Sequence, residues 1–311
     1  MFQKKIEAIE PHPAKGVQQL RTTVMQERIT AFARDARHFQ IVFLGGFLLF
    51  GILALDWSRR AEEVAVILGT TLATQFFFIR RLGLDIRSWK SAAITGLGLS
   101  LLLHAGSLVT LALAASLAIA SKFLIRDRGK HIFNPGLFGI VLTVLLTGDA
   151  WISPGQWGTG PILLFLIAGA GSMVLLRVGR IDTGVVFLTV YMALDLVRSM
   201  LYLGWGFDVT LHRMMNGSLL LFAFFMITDP MTTPNAPRAR VLWSAAIAMV
   251  AFAMGTFAYV HTAPIWALAL LCALTPFFDR AFGGARFSWL APAPFHDRAP
   301  TLNVEPTLQE R

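Results

Sequence analysis

The chain has 311 residues, of which 55% are hydrophobic and only 14% are charged, and its mean hydropathy is +0.62. A water-soluble domain of this composition would aggregate, so the composition indicates a membrane protein. The net charge of +9 does not indicate a nucleic-acid partner, because the basic residues lie in short gaps between apolar runs. The single cysteine, Cys272, excludes an internal disulfide framework and a cysteine-ligated cluster, and we expect it to be a buried thiol.

Residues 1–37 carry seven Lys and Arg residues and no apolar core. A secretory signal needs such a core, so we expect this segment to be a retained cytoplasmic arm. Residues 17–39 fit a basic amphipathic helix lying on anionic lipid headgroups, and they fit a solvated tail equally well.

Ten apolar segments follow the arm, and several are too short to cross a bilayer as straight helices. A crossing needs about 20 residues, whereas the third, fourth, fifth and eighth segments have about 13 or 14. Short or broken helices are tolerated only where protein or a cavity shields their ends. The segments are Phe39 to Leu55, Val64 to Ile79, Ala92 to Ala105, Leu108 to Ser121, Pro135 to Thr147, Pro161 to Leu176, Thr183 to Leu203, Met214 to Ile227, Val241 to Val260 and Pro264 to Phe278.

The basic residues predict the orientation of these segments. With ten spans, 23 of the 27 Lys and Arg residues fall on the side of the arm, which is therefore cytoplasmic. Five spans per half invert the second half relative to the first, and the third segment is short in both halves. We predict an all-α polytopic fold of about ten transmembrane helices in two inverted five-helix repeats, residues 38–160 and 161–280, with residues 281–311 as a cytoplasmic tail.

A first motif, SKFLIRDRGKHIFNPGLFG, leads into the fifth segment. Asn134 is a good helix N-cap, and Pro135 suits the first helical position because its missing N–H would be unsatisfied there anyway. Lys130 and His131 stand beside this helix start, where an anion or an electron-rich ring edge could bind. The alternative is a capped helix behind a basic loop, and the residues alone leave both open.

A second motif, NGSLLLFAFFMITDPMTTPNAPRAR, ends the eighth segment. Asp229 precedes a proline, which disfavours helical backbone and predicts a structured turn. Thr228, Asp229, Thr232 and Thr233 offer hydroxyls and a carboxylate to a polar ligand or a hydrated cation. Asp229 could equally cap a neighbouring helix.

Two further charges lie inside the seventh segment. Asp195 and Arg198 are three residues apart, so they are expected to form an ion pair of their own or to join Asp229 in an ion path. The chain contains no HExxH pattern, no Walker loop and no GxGxxG fingerprint. The sequence therefore predicts no metal site and assigns no catalytic residue.

Three stretches, KHIFNPGLFG, H-x-x-x-NGSLLLFAFFMITDPMTTP from His212 and WALALLCALTPFFDR, resemble one family across roughly Ser91 to Arg280. The chain is similar to the D-type membrane subunit of Rnf electron transport complexes and to its relative, the B-type membrane subunit of sodium-pumping NADH:quinone oxidoreductase. The resemblance implies two inverted repeats, a fold shared in outline with urea transporters, and flavin handling coupled to ion movement. It also implies a multi-pass protein of the bacterial inner membrane, with other electron-transport subunits as partners.

The chain departs from that family at its flavin attachment motif. Members with covalent flavin mononucleotide (FMN) esterify it to a threonine in an S-G-A-T type motif after the asparagine-proline helix, but Gly148 to Pro161 contains none. The chain thus resembles a stand-alone branch, similar to membrane proteins encoded beside enediyne biosynthesis genes. We expect noncovalent riboflavin or FMN, with Lys130, His131, Phe133, Asn134, Thr228, Asp229, Thr232 and Thr233 as cofactor-binding candidates. Alternatives are a cofactor-free transporter or channel for a small molecule, and an assembly or anchoring subunit.

Overall fold

A computed structural model of the chain describes residues 35–153 and 161–287. Most of the predicted arm, part of the loop Gly148 to Pro161 and most of the predicted tail lie outside those ranges. The described residues are predominantly helical. The first half contains α1 (Ala36–Ala54), α2 (Ala61–Leu82), a 3-10 turn (Ile86–Ser88), α3 (Trp89–Leu102), α4 (Leu108–Leu124) and α5 (Pro135–Thr147).

The second half contains more interruptions than the first. Two helices in it continue as π-helices, and two pairs of consecutive helices are bent where they meet. Its elements are α6 (Pro161–Val178), α7 (Ile181–Leu196) continued by the π-helix Val197–Tyr202, α8 (Phe207–Met214), α9 (Gly217–Leu221) continued by the π-helix Phe222–Met226, α10 (Pro237–Phe257), α11 (Ala263–Cys272) and α12 (Thr275–Phe282).

Local sequence explains where these helices begin and end. The side chains of Asp35, Ser107 and Asn134 each accept a hydrogen bond from a backbone N–H in the first turn of the helix that follows. The predicted start of the fifth helix at Pro135 is confirmed. At the other end of α2, Gly83 has a φ of 62°, a left-handed conformation that a side chain would disfavour.

In the described ranges, four helices are long and apolar enough to cross a bilayer: α1, α2, residues 181–202 and α10. Two bent pairs bring the number of candidate spans to six if each pair is one crossing. α8 and α9 with its π-helix are bent by 55°, and α11 and α12 by 52°. α4, α5 and α6 are apolar but shorter. The protein is therefore a polytopic membrane protein, and the ten crossings stay a prediction.

Two short two-stranded sheets lie at the ends of the helices of the first half. β1 (Leu103–Ala105) follows α3 directly and pairs antiparallel with β4 (Ala150–Ile152), so that the end of α3 is joined to the segment after α5. β2 (Arg126–Asp127) and β3 (Lys130–His131) form the hairpin that connects α4 to α5. This hairpin places His131 and Asn134 at the start of α5.

Helices of each half pack closely at a glycine. A Cβ built on Gly139 of α5 would lie 2.6 Å from the Ala114 carbonyl oxygen of α4, and one on Gly184 of α7 would lie 2.6 Å from the Ala223 carbonyl oxygen. Backbone cannot yield as a flexible side chain can, so these contacts require glycine.

We predict that Gly139→Ala lowers the free energy of unfolding by about 1–3 kcal/mol, because the new methyl group forces α4 and α5 apart. Thermal unfolding in detergent measures the change. The matched control is Gly69→Ala on the exposed face of α2, where a Cβ meets nothing within 4 Å. That control should be neutral or stabilising by up to about 1 kcal/mol, as alanine favours the helix. Equal destabilisation by both variants would contradict the close approach.

Candidate functional site

The two motifs meet at the start of α5, where Asn134 joins them. Its Nδ2 donates to Oδ2 of Asp229 at 3.2 Å and to the Met226 carbonyl oxygen at 3.4 Å, while its Oδ1 accepts from the Leu137 backbone N–H at 3.1 Å. Asn134 therefore caps α5 and also holds the second motif, while ligand binding at this helix start stays a prediction. Asp229 accepts from the Met231 N–H at 3.0 Å and thus caps its own turn, not a neighbouring helix.

A cavity of about 350 Å³ opens at this junction, and we call it the inner cavity. Its volume lies within the range of small-molecule sites, roughly 300–1,000 Å³. Four of the eight predicted cofactor residues line it. They are His131, Asn134, Thr228 and Asp229. Phe123, Phe224 and Phe225 supply aromatic surface, and other lining residues come from α1, α2, α3 and α6.

Lys122 also lines the inner cavity, although its place in the sequence indicated only a loop charge. It is 3% exposed, and its Nζ donates to Oγ of Ser91 at 3.0 Å. The carboxylate of Asp229 attracts its charge. The inner cavity therefore brings together a buried lysine and the carboxyl group of Asp229. The available signal was its position in the sequence. Lys122 stands one residue after an apolar segment and 12 residues before Asn134, which marks the next helix start, and one short hairpin covers that interval.

Two buried polar atoms of cavity-lining residues have no hydrogen-bond partner among the described residues. They are Oε1 of Gln75, whose side chain donates from Nε2 to Ser88 at 3.1 Å, and Nδ1 of His131. An unsatisfied buried acceptor costs free energy, and a ligand that supplies N–H or O–H donors removes that cost. The inner cavity thus suits a partly apolar ligand with donors at its edge.

The environment of His131 keeps its imidazole neutral. Burial, with repulsion from Lys122 and Arg126, lowers the pKa of His131 to about 4 from its usual 6.5. The unfolded chain therefore binds a proton between these two pH values and the folded chain does not.

We predict that the protein loses roughly 2 kcal/mol of stability through His131 as the pH falls from 6.5 to 4. Unfolding curves across that window, compared with those of His131→Gln, isolate this contribution because the variant lacks the titrating group. The stability of the variant should depend less steeply on pH. Parallel curves for the two proteins would contradict a neutral, buried His131.

The other four predicted cofactor residues lie apart from the inner cavity. Lys130 is buried, and its Nζ donates to Oδ2 of Asp279 at 2.6 Å, to the Thr233 carbonyl oxygen at 2.6 Å and to Oδ1 of Asn235 at 3.2 Å. Burial lowers the pKa of Lys130, although the Asp279 carboxylate opposes the shift. The hydroxyl of Thr233 accepts from Nε of Arg180 at 3.1 Å. These contacts fasten the β2–β3 hairpin to the second motif and to α12.

The remaining two predicted cofactor residues outside the inner cavity are Phe133 and Thr232. Both make structural contacts. The ring of Phe133 lies 5.5 Å from that of Phe138. The hydroxyl of Thr232 donates to the Asp229 carbonyl oxygen at 3.3 Å and so closes the turn. The structure thus brings four of the eight residues to the inner cavity and places the other four around it as supports.

Asp195 has a different partner from the one that its spacing predicted. Its Oδ1 lies 3.4 Å from the guanidinium of Arg213, and no ion pair with Arg198 is present in the part of the chain that the structure describes. The π-helix that begins at Val197 changes the angular spacing of the residues after Asp195, and the hydroxyl of Ser199 donates to Oδ2 of Asp195 at 3.4 Å. The predicted pair with Arg198 is therefore wrong.

Asp195 and Arg213 line a second cavity of about 130 Å³, which we call the outer cavity. Asp195 is only 5% exposed. Further lining residues come from β4, α9 and the loop between α10 and α11, and the polar ones are Tyr191, Asn216, Ser218, His261 and Thr262.

Comparison with known proteins confirms the resemblance predicted from the motifs. Residues 143–288 match the model of the NQR2, RnfD, RnfE family. Three curated relatives are each named as the D subunit of an ion-translocating oxidoreductase complex. The one from Halorhodospira halophila is 30% identical over 43% of this chain and 38% of its own length. Those from Shewanella frigidimarina and Shewanella denitrificans are each 27% identical, over 41% and 44% of this chain and 37% and 40% of their own lengths.

The chain therefore spans about 40% of the length of the curated relatives that it matches. The family match contains Asp195, Thr228 and Asp229, whereas Gln75, Lys122 and the other first-half residues of the inner cavity precede it.

Proposed function

We propose that this chain, whose residues 143–288 match the NQR2, RnfD, RnfE family, is an integral membrane electron-transport subunit. It binds riboflavin or FMN noncovalently in the inner cavity and couples electron transfer to cation translocation. The observation that carries the proposal is the inner cavity itself. There the two motifs meet beside buried polar atoms of Gln75 and His131 that have no hydrogen-bond partner within residues 35–153 and 161–287.

The lining of the inner cavity fits an isoalloxazine ring. Such a ring needs an apolar slot with a few hydrogen-bond partners, and Phe123, Phe224 and Phe225 supply the apolar surface. Gln75 and His131 offer acceptors for the ligand's N–H or O–H groups. When bound, a flavin would supply one-electron and two-electron transfer.

The chain's own charges suggest how electron transfer would act on a cation. Ser91 holds the Lys122 ammonium beside the inner cavity, and Asp229 attracts it. Negative charge gained by a ligand there would compete with Asp229 for Lys122. The Asp229 carboxylate would then be better able to hold a mobile cation. A shift between conformations that differ in the exposure of this cation would couple electron transfer to cation movement.

The packing of the helices supports the proposed inverted repeat. In the first half α2 packs against α3 and α4, and α4 packs against α5. In the second half α7 packs against α10 and against the π-helix after α9, and α10 packs against α11. The two halves therefore use equivalent helices in the same order, which favours five crossings in each half. The shorter apolar helices and bent pairs would supply the crossings beyond the four long helices.

We assign the protein to the bacterial inner membrane, with both termini on the cytoplasmic side. Its curated relatives are named as subunits of an ion-translocating oxidoreductase complex. We therefore include other electron-transport subunits, together with the lipid bilayer, as partners. The missing covalent-flavin motif is compatible with a stand-alone branch of the family.

An absorbance spectrum of the protein, purified in mild detergent after flavin supplementation, tests this function. We expect flavin bands that dithionite bleaches and air restores, and flavin that is released only on denaturation. A colourless protein would overturn the proposal. It would favour a cofactor-free transporter or channel for a small molecule, which the presence of the outer cavity also supports, and solute flux in liposomes without a reductant would then measure that activity.

A further inference from the structure

The C-terminal ends of α2 and α4 are joined by an aromatic stack. The ring of Phe78, in the last turns of α2, lies 4.2 Å from the ring of Phe123 at the end of α4, and the two planes differ by only 18°. The guanidinium of Arg126 lies 5.1 Å from the centre of the Phe123 ring. The two helix ends therefore form one continuous surface of two rings and a guanidinium.

A second guanidinium belongs to this surface. Arg81 follows Phe78 by three residues, so it lies on the same face of α2, and it is exposed. Neither Arg81 nor Arg126 forms an ion pair within residues 35–153 and 161–287, and the neighbouring Asp127 pairs with a different arginine. Nε of Arg126 donates to the Lys122 carbonyl oxygen. Its two terminal nitrogens have no hydrogen-bond partner in those ranges. We call Phe78, Arg81, Phe123 and Arg126 the arginine corner.

The arginine corner carries uncompensated positive charge. Burial lowers the pKa of Arg126, and no carboxylate of the described residues opposes this shift as one does for Lys130. Repulsion from Arg126 and Lys122 also contributes to the low pKa of His131. Residues 1–34 contain six Lys and Arg and only three Glu, so the arm is itself net basic. An anion from outside the chain would therefore reduce the repulsion.

Exposed apolar side chains adjoin the two arginines. Phe77 and Leu82 of α2 and Leu124 of α4 are all largely exposed. In a bilayer such side chains contact acyl chains, while arginines at helix ends reach the headgroups. The planar fork of a guanidinium also matches the oxygens of a phosphate. An acidic peptide or a free anion would match the charges of the corner but not its apolar surface.

We propose that Arg81 and Arg126 bind the phosphate of one anionic phospholipid, whose acyl chains lie along Phe77 and Leu124. Basic pockets between transmembrane helices bind such headgroups. Phe123 and Arg126 also line the inner cavity, so the lipid borders that cavity. The site goes beyond the proposed function and does not depend on it, because neither the charges nor the apolar surface requires a flavin.

Native mass spectrometry of delipidated, flavin-stripped protein tests the site. The protein is titrated with phosphatidylglycerol or with phosphatidylcholine of the same acyl chains. We expect one bound phosphatidylglycerol, with affinity at least about tenfold higher than that of phosphatidylcholine. In a variant that combines Arg81→Gln with Arg126→Gln, the two affinities should lie within about twofold of each other. Equal affinities in the wild-type protein, or an unchanged preference in the variant, would overturn the proposal.

The matched control combines Arg238→Gln with Arg280→Gln. It removes the same charge from two exposed arginines that lie outside the arginine corner, at the start of α10 and on α12. This control should keep the preference for phosphatidylglycerol. Equal loss in the control would show a general attraction of anionic lipid to basic residues and would overturn the specific site.

Arg81→Gln alone guards against a folding defect, since Arg126 also holds the end of α4. Arg81 forms no hydrogen bond or ion pair in the described ranges, so its loss should leave thermal unfolding in detergent unchanged. The affinity for phosphatidylglycerol should still fall at least about threefold, and an unchanged affinity would overturn the proposal.

Inorganic phosphate distinguishes a lipid from a free anion. Millimolar phosphate should leave the phosphatidylglycerol bound, because it lacks the acyl chains that contact the apolar surface. Displacement of the lipid by phosphate would overturn the choice of a phospholipid. All of these measurements use flavin-stripped protein, so failure of the lipid site and failure of the proposed function are separate results.

Discussion

Lys130→Met is expected to lower the free energy of unfolding by about 3 kcal/mol, because it leaves the Asp279 carboxylate without its 2.6 Å partner. The Lys130 side chain is 7% exposed and that of Asp279 is 17% exposed, so water replaces little of the lost interaction. The variant also loses the donor to the Thr233 carbonyl oxygen, which ties the β2–β3 hairpin to the second motif. Thermal or denaturant unfolding in detergent measures the change.

A second ion pair of the same region provides the control. Arg280 contacts Asp127 at 3.1 Å, but its side chain is 56% exposed. Arg280→Met should therefore change the free energy of unfolding by no more than about 0.5 kcal/mol. A double variant that combines Lys130→Met with Asp279→Asn should regain part of the free energy of unfolding that Lys130→Met loses, because no uncompensated charge remains. Similar small effects from Lys130→Met and Arg280→Met would contradict a structural role for the buried pair.

Gly98→Phe is expected to reduce the flavin retained per chain at least about tenfold, a loss of about 1.4 kcal/mol of binding free energy or more. Gly98 lies on α3 and lines the inner cavity, and a Cβ built there meets nothing within 4 Å. A phenylalanine side chain can therefore occupy space that the ligand needs without forcing the backbone to move. Flavin released on denaturation, per mole of protein, is the quantity to measure.

Gly169→Phe is the matched control for this cavity-filling variant. Gly169 lies on the exposed face of α6, a Cβ there also meets nothing within 4 Å, and the residue does not line the inner cavity. This variant should retain flavin at the wild-type ratio. Full retention by Gly98→Phe, or equal loss from both variants, would contradict the inner cavity as the flavin site.

Features that depend on neighbours in sequence could be predicted. Asn134 and Pro135 start α5 because the cap and the proline act on the backbone immediately after them. Asp229 opens a turn for the same reason, since the following Pro230 restricts its backbone. The resemblance rested on the same two motifs, and the family match to residues 143–288 contains the second of them.

Features that depend on distant contacts could not be predicted. Lys130 and His131 are adjacent, but the structure places one in a buried ion pair with Asp279 and the other in the inner cavity. Lys122 looked like a loop charge because its partner Ser91 lies 31 residues earlier in the chain. The predicted ion pair of Asp195 with Arg198 was wrong for a different reason. The prediction assumed that residues three apart are neighbours, as in an α-helix, but a π-helix begins at Val197.

The most direct test of the central claim is a titration of flavin-stripped protein with riboflavin, followed by quenching of flavin fluorescence. The account predicts saturable binding of one riboflavin per chain, with affinity at least about tenfold weaker in Asn134→Ala and Asp229→Asn. Thermal unfolding of both variants accompanies the titration, so that a folding defect is recognised. Absence of saturable quenching in the wild-type protein, or equal affinity in well-folded variants, would contradict a flavin site between the two motifs.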